Sequence, residues 1–135
     1  MTTLINMDLT SLSTKEAFVI NKVDYAGKPM KLTVARRHEQ DPDNENSYIG
    51  ICSAELRLAD ELNLDTLDTT FLAKVVISGT FTCDEPVEYR TYDNIHDTIL
   101  LQLLPHLRAT LSGIMTAAGL TPYLIPNSII PITSK

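Results

Sequence analysis

A long apolar helical segment in the C-terminal half constrains the fold of this chain most strongly. Its principal stripe recurs at spacings of 4, 3, 4, 3 and 4 residues and comprises Leu100, Leu104, Leu107, Leu111, Ile114 and Ala118. Asp93 or Asn94 can cap the start of this helix, and Gly119 suits the position after its end. Other apolar residues of the same turns lie at different azimuths, so one sheet should not cover the whole helix. The sequence therefore predicts a homo-oligomer.

Pro105 lies inside this helical segment. A proline there removes the hydrogen bond from its own nitrogen to the carbonyl of Leu101 and costs about 3 kcal/mol, so we expect a kinked or divided helix. The alternative is a helix that begins with Pro105 in its first turn. The helical spacing of Ile95, Ile99 and Leu103 before the proline favours the longer helix.

Four β-strands are predicted before the helix, at about residues 15–25, 30–34, 48–58 and 71–83. The last is the clearest, because its odd-numbered residues from Phe71 to Cys83 are apolar or glycine and predict a core face. Leu72 and Val76 lie on its other face, which we expect to be exposed to solvent. Residues 1–14 are predicted to form a tail or weak element, and residues 15–135 a single domain. The polar, acidic stretch 39–47 predicts a solvated, mobile loop.

An apolar stretch interrupted by prolines follows the helix. Pro122, Pro126 and Pro131 exclude a helix and a central strand there, so we expect an extended segment. It either packs on its own fold or forms the rim of a binding surface. The predicted fold class is α+β: a four-stranded antiparallel sheet, a long proline-containing helix and an extended, proline-rich C-terminal segment.

The composition disfavours several classes of protein. The 135 residues carry a net charge of −6, which disfavours nucleic-acid binding. No apolar run is long enough for a membrane span and no secretory leader is recognisable, which predicts a cytoplasmic protein. Cys52 and Cys83 are too few for a disulfide framework and are predicted to be reduced, half-buried strand residues.

The titratable residues show no pattern typical of an enzyme or a metal site. His38 is predicted to be a solvated strand end, and His96 and His106 would lie about 15 Å apart along a helix, too far to share a metal. No phosphate-binding glycine loop and no nucleophile motif is present. We therefore expect no catalysis, no cofactor and no metal.

One extended motif runs through the helix and the segment after it. It comprises Leu104-Pro105-His106-Leu107-Arg108, Leu111-Ser112 and Gly119-Leu120-Thr121-Pro122-Tyr123-Leu124-Ile125-Pro126. Together with the element order, this motif resembles the SecB export-chaperone family. The motif lies within residues 104–126, and the strand order extends the resemblance over Ala17 to Ile130. His106 replaces the family's aromatic residue, and Pro126-Asn127-Ser128-Ile129 departs from the family's ending. The family's second C-terminal helix, which bears on docking to an export motor, has no counterpart in the sequence.

The resemblance implies dimers and then a tetramer that assemble through the helices, with Ile99, Leu101, Leu103 and Arg108 in the interface. It also implies that unfolded polypeptides or preproteins bind between the sheet and the post-helix segment without nucleotide. The candidate polypeptide-binding residues are Leu72, Val76, Leu120, Tyr123, Leu124, Ile125 and Ile129, and ordinary packing is the alternative for each. Two further hypotheses stay open: an adaptor dedicated to one protein partner, and a small-molecule-binding or catalytic domain with a pocket between sheet and helix.

Overall fold

The computed structural model describes residues 4–24 and 27–126. Within these residues the chain forms one antiparallel sheet followed by one long helix. The elements are β1 (Met7–Asn21), β2 (Met30–Asp41), β3 (Asn44–Leu58), β4 (Phe71–Cys83) and α1 (Tyr92–Ala117). The strand order is β1-β4-β3-β2, so β4 and β3 are central and β1 and β2 are edges. This arrangement confirms the predicted α+β fold class.

The core lies between α1 and one face of the sheet. As predicted, the odd-numbered residues of β4 point into it, and Phe71, Val75 and Phe81 are fully buried there. Leu107 and Leu111 of α1 are equally buried on the other side of the core. The opposite side of the sheet, which we call the open face, carries the even-numbered residues of β4.

Strand β1 begins earlier than predicted, at Met7 instead of Lys15, and it ends at Asn21. The predicted tail is therefore largely sheet. Its start is held against the helix, because the Ile5 amide donates to Thr98 Oγ1 over 3.1 Å and Gln102 Nε2 donates to the Met7 carbonyl over 2.7 Å. The sequence does not predict the first half of β1, because most of its residues are polar and exposed, as an edge strand allows.

The predicted loop over residues 39–47 is also wrong, because the structure forms a tight hairpin there. β2 extends to Asp41 and β3 starts at Asn44, so only Pro42 and Asp43 form the turn. The Asp43 amide donates to Asp41 Oδ1 over 2.9 Å, a local side-chain hydrogen bond of the Asx type that stabilises the turn. Polarity in this stretch reflects exposed strand ends.

The helix begins slightly earlier than predicted, because its N-cap lies two residues before Asp93 and three before Asn94. Thr91 is the N-cap: its Oγ1 accepts from the Asn94 amide over 3.0 Å, and Asn94 Oδ1 accepts from the Thr91 amide over 2.9 Å. This reciprocal pair is a capping box with Asn in place of the more common Glu or Gln. α1 then continues through Pro105, so the alternative helix that begins at the proline is wrong.

The helix ends as the sequence predicts. Gly119 has a φ of 79°, a left-handed conformation that glycine adopts without strain. The Leu120 amide donates to the Met115 carbonyl over 2.9 Å, and the Gly119 amide donates to the Thr116 carbonyl over 3.0 Å. These two bonds form a Schellman motif, which turns the chain sharply away from the helix axis.

The sheet of the same chain covers more of α1 than the sequence suggested. Ile99 is 2 % exposed and Leu103 is fully buried, because the helix packs closely over Gly50 and Gly79, a register pair of β3 and β4. A partner subunit is therefore not needed to cover Ile99 and Leu103, and their predicted place in an oligomer interface is wrong. Of the predicted interface residues only Leu101 and Arg108 stay half-exposed, and for them the interface remains a prediction.

Candidate functional site

The post-helix segment, residues 119–126, returns along α1. Arg108 Nε on the helix donates to the Ile125 carbonyl over 2.8 Å, and the Ile125 side chain is only 2 % exposed. Leu120 and Tyr123 are half-buried and pack against the core. The segment is therefore fixed to its own fold at three points, although it contains no regular secondary structure.

Between these anchors the segment presents an apolar side chain to solvent. Leu124 is 68 % exposed, although its neighbours in sequence are half-buried and buried. The described fold therefore leaves most of the apolar Leu124 side chain in contact with water. Its neighbour in sequence, Tyr123, is half-exposed, so the anchored segment presents apolar surface to solvent at two adjacent positions.

A groove lies at the start of this segment. Residues Asn21 to Asp24, which follow β1, form one wall and Leu120 forms the other, around a volume of about 370 Å³. Val23 also lines a second cavity of about 640 Å³, which reaches Pro29 and Leu58. Val23 was not predicted as a site residue, because a single valine among polar residues carries no periodic signal. We call Val23, Leu120, Tyr123 and Leu124 the post-helix surface.

Leu72 and Val76 do not belong to this surface. They point to the open face of the sheet, whereas Leu120 and Tyr123 pack on the helix side. Leu72 is fully buried on the open face, next to the β3–β4 connection that Arg57 holds by donating to the Leu64 carbonyl over 3.1 Å. Leu72 is therefore inaccessible to a client polypeptide, and only the half-buried Val76 keeps part of its surface exposed.

One of the predicted residues after the helix is buried, and another lies outside the described part of the chain. Ile125 is a buried anchor of the post-helix segment, so its assignment to the binding surface is wrong for this conformation. Ile129 lies outside the described residues. Proline spacing could identify an extended segment, but which of its residues faces the core depends on how the segment docks on the helix.

The structure also pairs two histidines that the sequence left apart. His38 of β2 is half-buried, not a solvated strand end, and its Nδ1 lies 2.8 Å from Nδ1 of His96 in α1. Tyr92 covers both rings, at centroid distances of 4.6 Å to His38 and 5.1 Å to His96. No sequence spacing predicts this pair, because it depends on the crossing of helix and edge strand.

Other candidate sites receive less support from the geometry. Leu103, Leu107 and Phe81 fill the interface between sheet and helix, where the small-molecule hypothesis placed a pocket. Across residues 4–24 and 27–126, no three or more His, Cys, Asp or Glu side chains are grouped so that they could hold a metal ion. In the same part of the chain, no helix is both long and apolar enough to cross a membrane.

Comparisons with known proteins identify the fold. No family model matches the sequence, and no curated protein matches it. A solved structure of the Mycobacterium tuberculosis Rv1957 SecB-like chaperone, in complex with a ChAD peptide from the Rv1956 HigA1 antitoxin, matches with a TM-score of 0.63. The match covers 89 % of this chain and 88 % of that chain at 13 % sequence identity. The chain therefore has a SecB-like fold.

Proposed function

We propose that this protein is a chaperone-like holdase that binds unfolded or partly folded polypeptides on its post-helix surface. It does so in the cytoplasm, without nucleotide or catalysis. The observation that carries the proposal is the exposed Leu124 on a segment that is otherwise anchored to the fold. The SecB-like fold supports it, because the similar Rv1957 protein is a chaperone that binds a peptide.

The physics of the post-helix surface favours many weak contacts. Complete burial of one leucine side chain contributes roughly 1.5–3 kcal/mol, so contact with Leu124 alone gives millimolar affinity at best. An extended client that also covers Tyr123, Leu120 and Val23 adds comparable contributions without requiring a particular sequence. The net charge of −6 adds attraction for basic clients. We therefore expect broad specificity and a preference for apolar, basic segments.

Protection against aggregation tests this proposal. The protein should slow the aggregation of a heat-denatured client at a one-to-one ratio of chains. Leu124→Ser should weaken that protection, because it removes exposed apolar surface without opening the core. Leu67→Ser is the matched control, since Leu67 is 87 % exposed but lies in the β3–β4 connection. Equal protection by both variants, or no protection by the wild type, would reject the proposal.

An adaptor for one protein is the second candidate function. It is favoured by the specific observation that the Rv1957 structure contains a peptide from a single named antitoxin. Capture from an extract of the protein's own cells separates the two functions. One dominant partner supports the adaptor, and many partners at comparable levels support the holdase. An export motor would be recovered in the same experiment if it is a partner.

A further inference from the structure

The histidine pair joins two elements that are otherwise held together by few polar contacts. His38 lies on the edge strand β2 and His96 in the second turn of α1, and their Nδ1 atoms are 2.8 Å apart. That separation is a hydrogen bond only if one imidazole donates its Nδ1–H to the unprotonated Nδ1 of the other. A second link lies beside it, because Arg36 Nη1 donates to Asp97 Oδ1 over 2.9 Å.

Charged and aromatic side chains from β2, α1 and β3 surround the histidine pair. Arg36 approaches from β2, and Asp93 and Asp97 belong to α1. On the sheet side, the Tyr48 ring of β3 lies 6.4 Å from the His38 ring, edge to face, and Arg90 sits over Tyr48. Tyr92 stacks on the His96 imidazole and lies tilted against the His38 imidazole, so it covers part of both rings.

Protonation affects this hydrogen bond in two stages. A single added proton leaves the bond in place, because an imidazolium can donate to a neutral ring. A second proton leaves two Nδ1–H groups and two positive charges facing each other, with Arg36 adding a third. We infer that His38 and His96 form a hydrogen-bonded latch that holds the first turns of α1 on β2 and opens when both rings are protonated.

The pH window follows from the surroundings of the two rings. Burial, the charge of His96 and the charge of Arg36 lower the pKa of His38. Burial and Arg36 lower the pKa of His96, although Asp97 and Asp93 act in the opposite direction. Both folded-state pKa values therefore lie below the ordinary value of about 6.5. The stability that the latch contributes is present above that value and is lost as the pH falls through it towards the folded-state pKa values.

A titration of the folded protein followed by NMR tests the latch directly. The imidazole signals of His38 and His96 should titrate as a coupled pair, each responding to two macroscopic steps. His96→Gln should convert the His38 titration to a single step. His106→Gln is the matched control, because His106 is exposed on the same helix and lies outside the pair, and it should leave the titration of His38 unchanged.

Hydrogen exchange supplies the second measurement. Protection factors of the amides from Ile95 to Ile99 should fall at least tenfold between pH 7.5 and pH 5 in the wild type and in His106→Gln. In His38→Gln they should already be low at pH 7.5 and change less. Independent single-step titration of the two rings, or the same pH dependence of protection in all three proteins, would overturn the inference. The result does not depend on client binding, so the latch and the proposed function can fail separately.

Discussion

A methyl group added at Gly50 should destabilise the protein, because α1 packs directly over this position. A Cβ built on Gly50 would overlap Cγ2 of Ile99 and lie 3.2 Å from Cε1 of Phe81. Ile99 cannot move this methyl aside easily, since a β-branched residue in a helix has one strongly preferred χ1 rotamer. Gly50→Ala therefore forces either a strained rotamer or a shift of the helix, at a cost of about 1–3 kcal/mol in the free energy of unfolding.

A double-mutant cycle isolates the contact between residue 50 and Ile99. Ile99→Ala alone should cost about 2–5 kcal/mol, because it opens a cavity in a site that is 2 % exposed. In the double variant the new methyl of residue 50 enters the space that Cγ2 has left. The two costs should therefore sum to more than the measured loss, with a coupling of about 1 kcal/mol or more.

Urea denaturation at a fixed chain concentration measures these free energies. Gly113→Ala is the control, because a Cβ at this exposed helix position meets nothing within 4 Å and should stabilise the protein by about 0.5–1 kcal/mol. If Gly50→Ala is neutral, or if its cost adds to that of Ile99→Ala within about 0.5 kcal/mol, the packing of α1 over Gly50 is refuted.

Three further predictions concern polar groups and a thiol. Arg90→Ala should cost roughly 2–3 kcal/mol in urea denaturation, because the guanidinium donates to the carbonyls of residues 45, 83 and 85, and Arg90→Lys should restore only part of the loss. Hydrogen bonds from Thr70 lower the pKa of the Glu61 carboxyl. The free energy of unfolding should therefore fall as the pH drops below about 4.3, the ordinary pKa of a glutamate. Glu61→Gln should make the melting temperature less dependent on pH in this range. Burial raises the pKa of Cys52 to about 11, so a thiol-labelling reagent at pH 8 should modify it at least a hundredfold faster in the unfolded protein.

Local patterns were sufficient to predict the elements that form the core. The alternation of β4 and the glycine after α1 predict structure through rules that act within a few residues, and both are confirmed. The edge strand β1 and the hairpin at Pro42 are different, because polar residues suit both a loop and an exposed strand. In such stretches the pairing with a neighbouring strand decides whether the residues form a strand or a loop. This pairing is not encoded in the local sequence.

The sequence predicted an extended, apolar segment after the helix, and the structure shows which of its side chains are accessible. Leu124 is exposed and Leu120 and Tyr123 are half-buried, while their role in binding stays a prediction. The prediction that Ile99 lies in an oligomer interface is wrong for a definite reason. The helical pattern shows which side chains are apolar, but it does not show that Gly50 lets the sheet approach them closely. Burial of these residues depends on a contact between segments about fifty positions apart, which periodicity cannot predict.

Mapping by NMR shows whether unfolded chains bind at the post-helix surface. Titration of the labelled protein with a permanently unfolded, disulfide-reduced client should shift or broaden the signals of Val23, Leu120, Tyr123 and Leu124. Signals of residues in the β3–β4 connection, such as Leu67, should stay unchanged. Changes confined to the open face or to that connection, or no change at client concentrations of several hundred micromolar, would contradict the claim.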